Sequence, residues 1–414
     1  MPTDLGVLSL FTGAGGLDLG LEGAGFSTRL CVENDPIASA TLRTNRPKWT
    51  LAETNDAIEF AKDPHAALKA AGLAKSDIAV LAGGPPCQPF SKAGYWIENQ
   101  PKRMDDPRAG TINAYLDIVR DVKPPVLLFE NVPAFAFKGK DEGITAFRAG
   151  LEAVNRSAGT SYKPSIFLVN AADYGVPQTR ERIFVVAARD GTEFRMPAPT
   201  YGTGARHGRY VTAWDAIGDL DELTPDDSLT LQGKWADLLP SIPEGKNYLW
   251  HTPEGGGLSL FGWRTRFWSF LLKLSKRLPA WTIQASPGPA TGPFHWRNRL
   301  LSVDELARLQ SFPKAYSIDG ARGSCQRQIG NAVPPVLAEV IGLEIRRQLF
   351  GSRLPNREIS LAIPHRNDRP RAFPTREVPY KYRALVARHK PHPGVGKGPG
   401  SAAATVTVHS AASI

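Results

Sequence analysis

A cysteine flanked by prolines is the first candidate for chemistry in this sequence. Cys87 lies in GGPPCQPFSKAG, residues 83–94, directly after the apolar run IAVLAGG at 78–84. A free cysteine is more often a core residue, but a rigid turn with several prolines is an unusual place for one. An ionised thiol is a strong nucleophile, so Cys87 could attack an electron-poor ring carbon.

Two further apolar runs end or begin with groups that could assist such a reaction. Glu130 ends the run VLLF, and Arg180 and Arg182 lie in QTRERIFVVAAR. A carboxyl group can act as an acid, and a guanidinium can hold an anion or a carbonyl oxygen. Each group alone has a structural explanation, because most Glu–Arg pairs are structural. Their shared position beside apolar runs favours a common site.

A glycine-rich segment near the N-terminus suggests a ligand-binding turn. LFTGAGGLDLG follows the run VLSLF and opens a helical pattern, where backbone amides can approach a ligand closely. The dinucleotide-binding pattern does not fit, because GxGxxG from Gly13 would require glycine where Asp18 stands. Glu33 lies 20 residues after Gly13 and could accept hydrogen bonds from ribose hydroxyls. These residues predict a nucleoside-containing cofactor; the alternative is a tight turn and a surface glutamate.

The elements that would position these groups alternate along the first half of the chain. Short apolar runs are separated by segments of helical length and pattern, which is typical of an α/β fold with a doubly wound, mostly parallel sheet. Ligands bind such sheets at the carboxyl ends of the strands, where the candidate residues fall. The runs are VLSLF (7–11), LCVEN (30–34), IAVLAGG (78–84), VLLFENV (126–132), SIFLVNA (165–171) and RIFVVAAR (182–189).

The pattern divides the chain into four parts. Residues 1–189 are predicted to form a catalytic and cofactor-binding domain, and 190–295, rich in Gly, Pro and Trp, a smaller irregular domain. Helical patterns resume in 296–350, which we expect to return to the first domain. Residues 351–414 are a Pro/Gly-rich basic tail that we expect to be disordered.

Charge and cysteine content restrict the class of protein. The net charge is +10, of which residues 351–414 carry +8, so the tail is either a solvated end or a nonspecific DNA-binding arm. The three cysteines, Cys31, Cys87 and Cys325, are far apart and predict neither a disulfide framework nor a metal site. No signal peptide or membrane span is recognisable. We therefore expect a cytoplasmic protein.

Seven motifs in order make the chain resemble a C5-cytosine DNA methyltransferase over residues 5–350. They are LFTGAGG, VEND, GGPPCQPFS, ENV, QTRERIFVVAAR, RLQSFP and QIGNAVPP. The resemblance implies the Rossmann-like fold of S-adenosylmethionine-dependent methyltransferases, with 190–295 as the target-recognition domain. It also implies methyl transfer from S-adenosylmethionine, without a metal, to C5 of a cytosine flipped out of duplex DNA.

The resemblance assigns roles to the reactive residues. Cys87 would add to cytosine C6, Glu130 would donate to N3, and Arg182 with Arg180 would bind O2 and orient Glu130. The segment after Cys87 would close over the substrate.

The cofactor contacts follow from the same resemblance. Two departures from the family pattern are Ser9, where many members have Asp, and Asn34, where some have an aromatic residue that stacks on adenine. The implied contacts are Phe11, Gly13, Gly15, Gly16, Glu33, Asn34, Asp56, Gly84, Pro86 and Asn331.

The stretch RTRFWSFLLKLSKR at 264–277 is the predicted DNA-facing part of the recognition domain. It contains five basic residues and no acid, and Lys and Arg side chains can hold phosphates. The alternative is a basic amphipathic helix that only packs its Phe and Leu face. The predicted DNA contacts are Arg264, Arg266, Lys273, Lys276 and Arg277.

Three other classes of protein compete with this interpretation. A transfer-RNA cytosine methyltransferase would share the catalytic motifs but have a shorter recognition region. A catalytically dead relative would be expected to lack Cys87 or Glu130, and an oxidoreductase would not need Pro-Cys-Gln. The preferred hypothesis is a monomeric modification enzyme of a restriction-modification system, whose cognate endonuclease would act on the same site.

Overall fold

A computed structural model gives the fold of the chain. The described residues are 4–86, 110–136, 142–222, 227–262, 268–352, 358–386 and 388. Cys87 and the segment that follows it therefore lie outside the described residues, as do Arg264 and Arg266. In the part of the chain that the structure describes, no helix has both the length and the apolar character needed to cross a membrane.

A six-stranded sheet forms the centre of the molecule, in the order β2-β1-β3-β4-β7-β5. All six apolar runs predicted from the sequence supply one strand each. The strands are β1 (Gly6–Leu10), β2 (Ser27–Val32), β3 (Val80–Gly83), β4 (Val126–Asn131), β5 (Ser165–Asn170) and β7 (Glu181–Ala188). A separate two-stranded sheet pairs β6 (Gln178–Thr179) with β8 (Ala280–Trp281).

Strand β7 runs against its neighbours, and this decides where the candidate residues meet. β2, β1, β3 and β4 are mutually parallel, whereas β7 pairs antiparallel with both β4 and β5. Glu130 at the end of β4 therefore lies opposite Phe184, near the start of β7. Arg182 comes to the same edge as the carboxyl ends of the other strands, although it begins its own strand.

Helices cover both faces of the sheet, which confirms the predicted doubly wound α/β fold. One face packs on α5 and α6 through residues such as Tyr115 and Phe147, and the other on α1 and α10 through residues such as Leu21 and Ile341. The helices are α1 (Gly16–Gly23), α2 (Pro36–Asn45), α3 (Ala57–Phe60), α4 (Pro64–Ala70), α5 (Gly110–Val122), α6 (Glu142–Ala158), α7 (Ala213–Ile217), α8 (Val303–Leu309), α9 (Arg322–Asn331), α10 (Pro335–Leu349) and α11 (Tyr380–Arg383). Strands buried on both sides explain the nearly continuous apolar runs.

The region 190–295 has little regular structure in its described part. It contains α7, the two residues of β8 and several short 3-10 turns. Its own core is aromatic and aliphatic, with Trp235 packed edge-on against Phe261 and Phe270. An irregular chain around a compact apolar core agrees with the Gly, Pro and Trp content of the sequence.

Residues 358–386 contradict the prediction of disorder for this part of the range 351–414. Residues 358–386, which we call the strap, pack along both parts of the molecule. The backbone amides of Ser360 and Leu361 donate to the buried carboxylate of Glu339 in α10 (2.7 and 2.9 Å). Tyr382 is buried against the recognition-region core and donates its hydroxyl proton to the Lys234 carbonyl (2.6 Å). Composition alone missed these anchors, because a few buried contacts suffice to order a polar segment.

Candidate functional site

The glycine loop between β1 and α1 contains three residues with a positive φ. Phe11, Gly13 and Gly15 have φ values of 54°, 56° and 74°, in the region that favours glycine. Gly13 is not crowded, because a Cβ built there would make only an ordinary contact, 3.9 Å from the Phe11 carbonyl oxygen. Gly15 is the N-cap of α1, so the loop presents backbone groups at a helix N-terminus.

The two glycines that follow Gly13 serve packing. A Cβ at Gly15 would lie 2.9 Å from Leu42, and one at Gly16 would collide with the carbonyl oxygen of Val333 before α10. The absence of a side chain at Gly16 therefore lets α1 approach the α9–α10 turn. The predicted cofactor contact of Gly16 stays a prediction that concerns its backbone only.

Glu33 follows β2 and holds the glycine loop. Its carboxylate accepts hydrogen bonds from the backbone amides of Gly13 (2.6 Å) and Asp35 (2.8 Å), one to each oxygen. Burial raises the pKa of Glu33, and these hydrogen bonds act in the opposite direction. Each carboxylate oxygen can accept more than one hydrogen bond, so hydroxyl donors of a bound nucleoside could add to this arrangement.

Asn34 and Asp56 form a second polar group beyond Glu33. The side-chain amide of Asn34 donates to Asp56 Oδ2 (3.1 Å). Asp56 Oδ1 accepts from the backbone amide of Ile58 and thereby caps α3. Asp56 thus keeps an acceptor oxygen at the surface next to Asn34. Acidic acceptors beside an uncrowded glycine turn fit a nucleoside cofactor that carries hydroxyl and amino donors, as S-adenosylmethionine does.

Asp18 supports the glycine loop from below, a role that the sequence analysis missed. Its carboxyl group is fully buried, and Ser9 Oγ donates to Oδ2 (2.9 Å). Burial raises the pKa of Asp18 to about 7. Thr12 Oγ1 extends the chain of hydrogen bonds by donating to Ser9 Oγ (3.1 Å). Many family members have an aspartate at position 9, whereas here Ser9 binds the carboxylate of Asp18 from α1. The helical periodicity of α1 could have placed Asp18 on the buried face of that helix.

Glu130 and Arg182 meet where β4 ends and β7 begins. We call this end of the sheet, at the carboxyl ends of the parallel strands, the reactive edge. Arg182 Nε lies 3.0 Å from Glu130 Oε1, and both side chains are largely buried. Burial raises the pKa of Glu130, although the charges of Arg182 and Arg180 oppose this rise. A buried carboxyl of this kind can hold a proton at a pH where an exposed glutamate is ionised. The pair therefore suits a carboxyl that donates to a substrate.

The segment that leads to Cys87 is built around Glu130. A Cβ at Gly84 would lie 2.7 Å from Glu130 Oε2, so glycine at this position leaves room for the Glu130 carboxyl in its present orientation. Asn131 Nδ2 donates to the Pro85 carbonyl (3.4 Å), and Pro86 is exposed. Cys87 itself lies outside the described residues. The described chain stops at Pro86, two residues after Gly84, which lies beside the Glu130 carboxyl.

Arg180 does not have the contacts predicted for it. The side chain is completely buried, and its Nη atoms donate to the carbonyl oxygens of Ile283 (3.3 Å), Gly330 (2.6 Å) and Ala332 (3.2 Å). These bonds point it towards backbone, which corrects the expectation that it binds cytosine O2. Two of the three carbonyls flank Asn331, an exposed residue at the end of α9, so Arg180 fixes the turn that carries that predicted contact.

Two predicted DNA contacts are wrong because their side chains are buried. Lys273 is 4% exposed and donates its Nζ proton to the Ile242 carbonyl, and Lys276 is 1% exposed and pairs with Glu244. Burial also lowers the pKa of Lys273 to about 8. The alternative of a basic helix fails as well, since the described residues 268–277 contain none. Arg277 is exposed and stays a predicted DNA contact.

The chain matches one protein family over most of its length. The sequence model described as "C-5 cytosine-specific DNA methylase" matches residues 5–347. That range covers every strand and helix described above except α11 and the end of α10.

Curated relatives and solved structures agree with this match. The chain is 37% identical over 380 residues to the type II methyltransferase M.SacI of Streptomyces achromogenes, covering 84% of this chain and 94% of the relative. It is 32% identical over 364 residues to the type II methyltransferase M.MthTI of Methanothermobacter thermautotrophicus, covering 84% and 99%. An Escherichia coli prophage protein assigned to DNA modification has a similar fold, with a TM-score of 0.60 at 21% identity over 84% of this chain and 100% of that one.

Proposed function

The chain belongs to the C-5 cytosine-specific DNA methylase family, and from that premise we propose how its own residues carry out the reaction. Members of the family use S-adenosylmethionine to methylate cytosine in DNA. The proposal concerns the roles of Cys87, Glu130 and Arg182, the route of the target base to them, and the biological setting. The single observation that carries it is the buried Glu130–Arg182 pair beside the strand end that leads to Cys87.

The chemical problem is that C5 of cytosine is a poor nucleophile, because attack from it disrupts the aromatic ring. In our proposal the Cys87 thiolate forms a bond to C6 and pushes an electron pair into the ring. The resulting enamine makes C5 nucleophilic. After methyl transfer, a base removes the C5 proton, the C6–S bond breaks, and the Cys87 thiolate is released unchanged.

Glu130 would balance the charge that this addition creates. Addition at C6 makes N3 more basic, so a protonated Glu130 can donate a proton to N3 and take it back when the thiolate leaves. The raised pKa of Glu130 favours the protonated form that this role needs. Arg182, bonded to Glu130 at 3.0 Å, would fix the orientation of the carboxyl and donate to cytosine O2.

The glycine loop, Glu33 and Asp56 would hold the cofactor on the neighbouring strand ends. When bound, S-adenosylmethionine supplies an electrophilic methyl group on a sulfonium centre, and its loss leaves S-adenosylhomocysteine as the product. Glu33 would accept from the ribose hydroxyls and Asp56 from the adenine amino group, while the uncrowded Gly13 would leave room for the ligand. The order β2-β1-β3-β4 would then align cofactor and target base along one edge.

The substrate would be duplex DNA from which the target cytosine is flipped out. A paired base cannot reach the buried Glu130 carboxyl, so the base must leave the stack. The relatives M.SacI and M.MthTI are named type II methyltransferases. We therefore propose that this chain, acting as a monomer, is the modification enzyme of a restriction-modification system.

Transfer of labelled methyl groups tests this function. The wild-type protein and S-adenosylmethionine should label duplex DNA containing the recognition sequence and leave transfer RNA unlabelled. Bisulfite sequencing of DNA from cells that express the protein would identify that sequence, because its target cytosine would resist conversion at every copy. Label in transfer RNA with none in duplex DNA would contradict the proposed substrate.

A further inference from the structure

Three stretches of motif sequence that the proposed reaction does not use meet inside the molecule. They are the residues from Gln178 to Arg180 before β7, the RLQSFP stretch around Gln310, and the turn at 330–332 between α9 and α10. The side chains of Gln178, Arg180 and Gln310, which we call the buried hub, are completely buried. Burial of polar side chains is costly unless they are hydrogen-bonded, so the bonds of the hub indicate its role.

Gln178 links the residues before β7 to two distant parts of the chain. Its Oε1 accepts from the backbone amide of Ile283 (3.0 Å). Its Nε2 donates to Gln310 Oε1 (2.6 Å) and to the Leu309 carbonyl (3.2 Å). Gln178 therefore holds both the segment that follows β8 and the end of α8.

Arg180 and Gln310 converge on the turn between α9 and α10. The Ala332 carbonyl accepts from Gln310 Nε2 (2.5 Å) and from Arg180 Nη2 (3.2 Å). Arg180 also donates to the carbonyls of Gly330 (2.6 Å) and Ile283 (3.3 Å). Both the turn and the segment that follows β8 are thus held by the hub through their main chain.

The hub adjoins the base site on one side and the glycine loop on the other. Arg180 lies two residues before Arg182, whose Nε is 3.0 Å from Glu130 Oε1. The turn at 330–332 continues into Val333, and a Cβ at Gly16 would lie only 2.2 Å from the Val333 carbonyl oxygen. Gly16 is the first residue of α1, directly after the glycine loop. Any displacement of the turn therefore presses on the helix that follows this loop.

We propose that Gln178, Arg180 and Gln310 are positioning residues that hold the α9–α10 turn at a fixed place relative to the strand that carries Arg182. This inference rests on the proposed function, which assigns the two neighbouring sites to the target base and the cofactor. Base and methyl donor bind to different elements, so their alignment depends on the groups that join those elements. A misplacement of about 1 Å can slow a reaction about a hundredfold.

The pattern of bonds favours positioning over simple filling of space. Most partners of the hub are main-chain groups, and hydrogen bonds restrain their distance and direction in a way that apolar contacts do not. The bond between Gln178 and Gln310 joins two of the three side chains to each other. Gly330 completes the arrangement, because a Cβ there would lie 2.5 Å from the Ala285 backbone, which follows β8.

Gln310→Met tests the hub with little change in side-chain size. The substitution removes the bonds to Gln178 and to the Ala332 carbonyl, and it should lower kcat for methyl transfer to duplex DNA about tenfold. The KM for DNA should stay within about twofold, since the buried hub cannot contact DNA. The Kd for S-adenosylmethionine, measured by equilibrium dialysis without DNA, should rise about fivefold. Arg180→Met should lose more kcat, and Arg180→Lys, which keeps one donor group, should lose less than Arg180→Met.

Asn155→Leu is the matched control. Asn155 in α6 bonds to the backbone amide and carbonyl of Tyr162 (2.9 Å each), and the Tyr162 hydroxyl donates to the carbonyl of Pro124 before β4. These bonds lie at the end of the sheet opposite Glu130, because β4 begins there and ends at Glu130 and Asn131. The control should lower the Tm and leave kcat and the Kd for S-adenosylmethionine unchanged.

The outcomes separate positioning from folding and from failure of the proposed function. All variants are assayed below their own Tm, and Gln310→Met and Arg180→Lys decide the case if Arg180→Met does not fold. The double substitution of Gln178→Met with Gln310→Met should cost less kcat than the product of the single effects, because both remove one shared bond. Hub variants that lose Tm as the control does, yet keep the wild-type kcat and Kd, would overturn the proposal. No methyl transfer to duplex DNA by the wild type would overturn the proposed function and this inference with it.

Discussion

The reactive edge and the recognition region both bury charged side chains, but the groups that surround these charges differ. Glu130 has one close cationic partner and a raised pKa, so its carboxyl can change protonation state. Lys276 in the recognition region is paired with Glu244, and its ammonium lies 4.0 Å from the ring centroid of Phe373 in the strap. The comparison teaches that a buried charge can serve the reaction, as proposed for Glu130, or can hold the fold together through an ion pair, as Lys276 does with Glu244.

The two regions also differ in how the backbone is held. The reactive edge is formed by the ends of strands that are covered by helices. Gly84 leaves room there for the Glu130 carboxyl, and Asn131 donates a hydrogen bond to the Pro85 carbonyl. The recognition region lacks such a frame in its described part and depends on aromatic packing and on the strap. Side-chain substitutions should therefore affect activity most at the first region and stability most at the second.

The largest effect is expected from Cys87→Ser. Loss of the thiolate should lower kcat for methyl transfer at least about a thousandfold, because a serine hydroxyl at neutral pH is a far weaker nucleophile. Binding of S-adenosylmethionine should not change. Cys325→Ser is the matched control, since that thiol is buried and donates to the Gly320 carbonyl. Robust activity of the Cys87 variant would refute its role.

The next effect is expected from Glu130→Gln. The amide keeps the size of the side chain but cannot give up a proton to N3, so kcat should fall about a hundredfold. The wild type should lose activity as pH rises through the raised pKa of Glu130, because the protonated form is the active one. The variant should lack this alkaline limb. If the Glu130→Gln variant still lost activity at high pH, this loss would come from the titration of another group, which would contradict the proposed role of Glu130.

The largest effect on stability, with no direct effect on activity, is expected from Lys276→Met. The substitution leaves Glu244 buried without its ammonium partner and should lower the free energy of unfolding by about 3 kcal/mol, measured with urea. The neighbouring Arg277→Ala removes an exposed cation, so stability should be unchanged while DNA affinity becomes less sensitive to salt. Equal stability of the two variants would contradict the structural role of Lys276.

The smallest effect is expected from Tyr382→Phe in the strap. The change removes only the hydrogen bond to the Lys234 carbonyl and should cost about 1 kcal/mol of stability. Limited proteolysis should then cut within the strap more quickly, whereas methyl transfer at saturating substrates should be unaffected. Cleavage of the wild-type strap as quickly as that of the variant would show that this anchor does not order the segment.

The sequence predicted the frame of the molecule well because apolar periodicity and motif residues act locally. All six runs became strands of the central sheet, and Glu33, Glu130 and Arg182 lie at its reactive edge. The direction of β7 was not predicted, since periodicity does not distinguish parallel from antiparallel pairing. Arg182 reaches the edge because of that reversal.

The errors share one cause, which is that long-range partners cannot be read from local sequence. Arg180 lies in a motif but bonds to carbonyls about 100 and 150 residues away. Lys273 and Lys276 look like a basic surface until their distant partners Ile242 and Glu244 are known. The strap likewise looks disordered by composition, and its order depends on buried anchors in other parts of the chain.

Covalent trapping tests the central claim most directly. A duplex in which the target cytosine carries fluorine at C5 offers no proton for removal, so the Cys87 adduct should not break down after methyl transfer. The account predicts a stable protein–DNA complex that requires S-adenosylmethionine, is absent in Cys87→Ser, and maps to the peptide containing Cys87. Methyl transfer to ordinary duplex DNA with no trapped complex on the fluorinated duplex would contradict it.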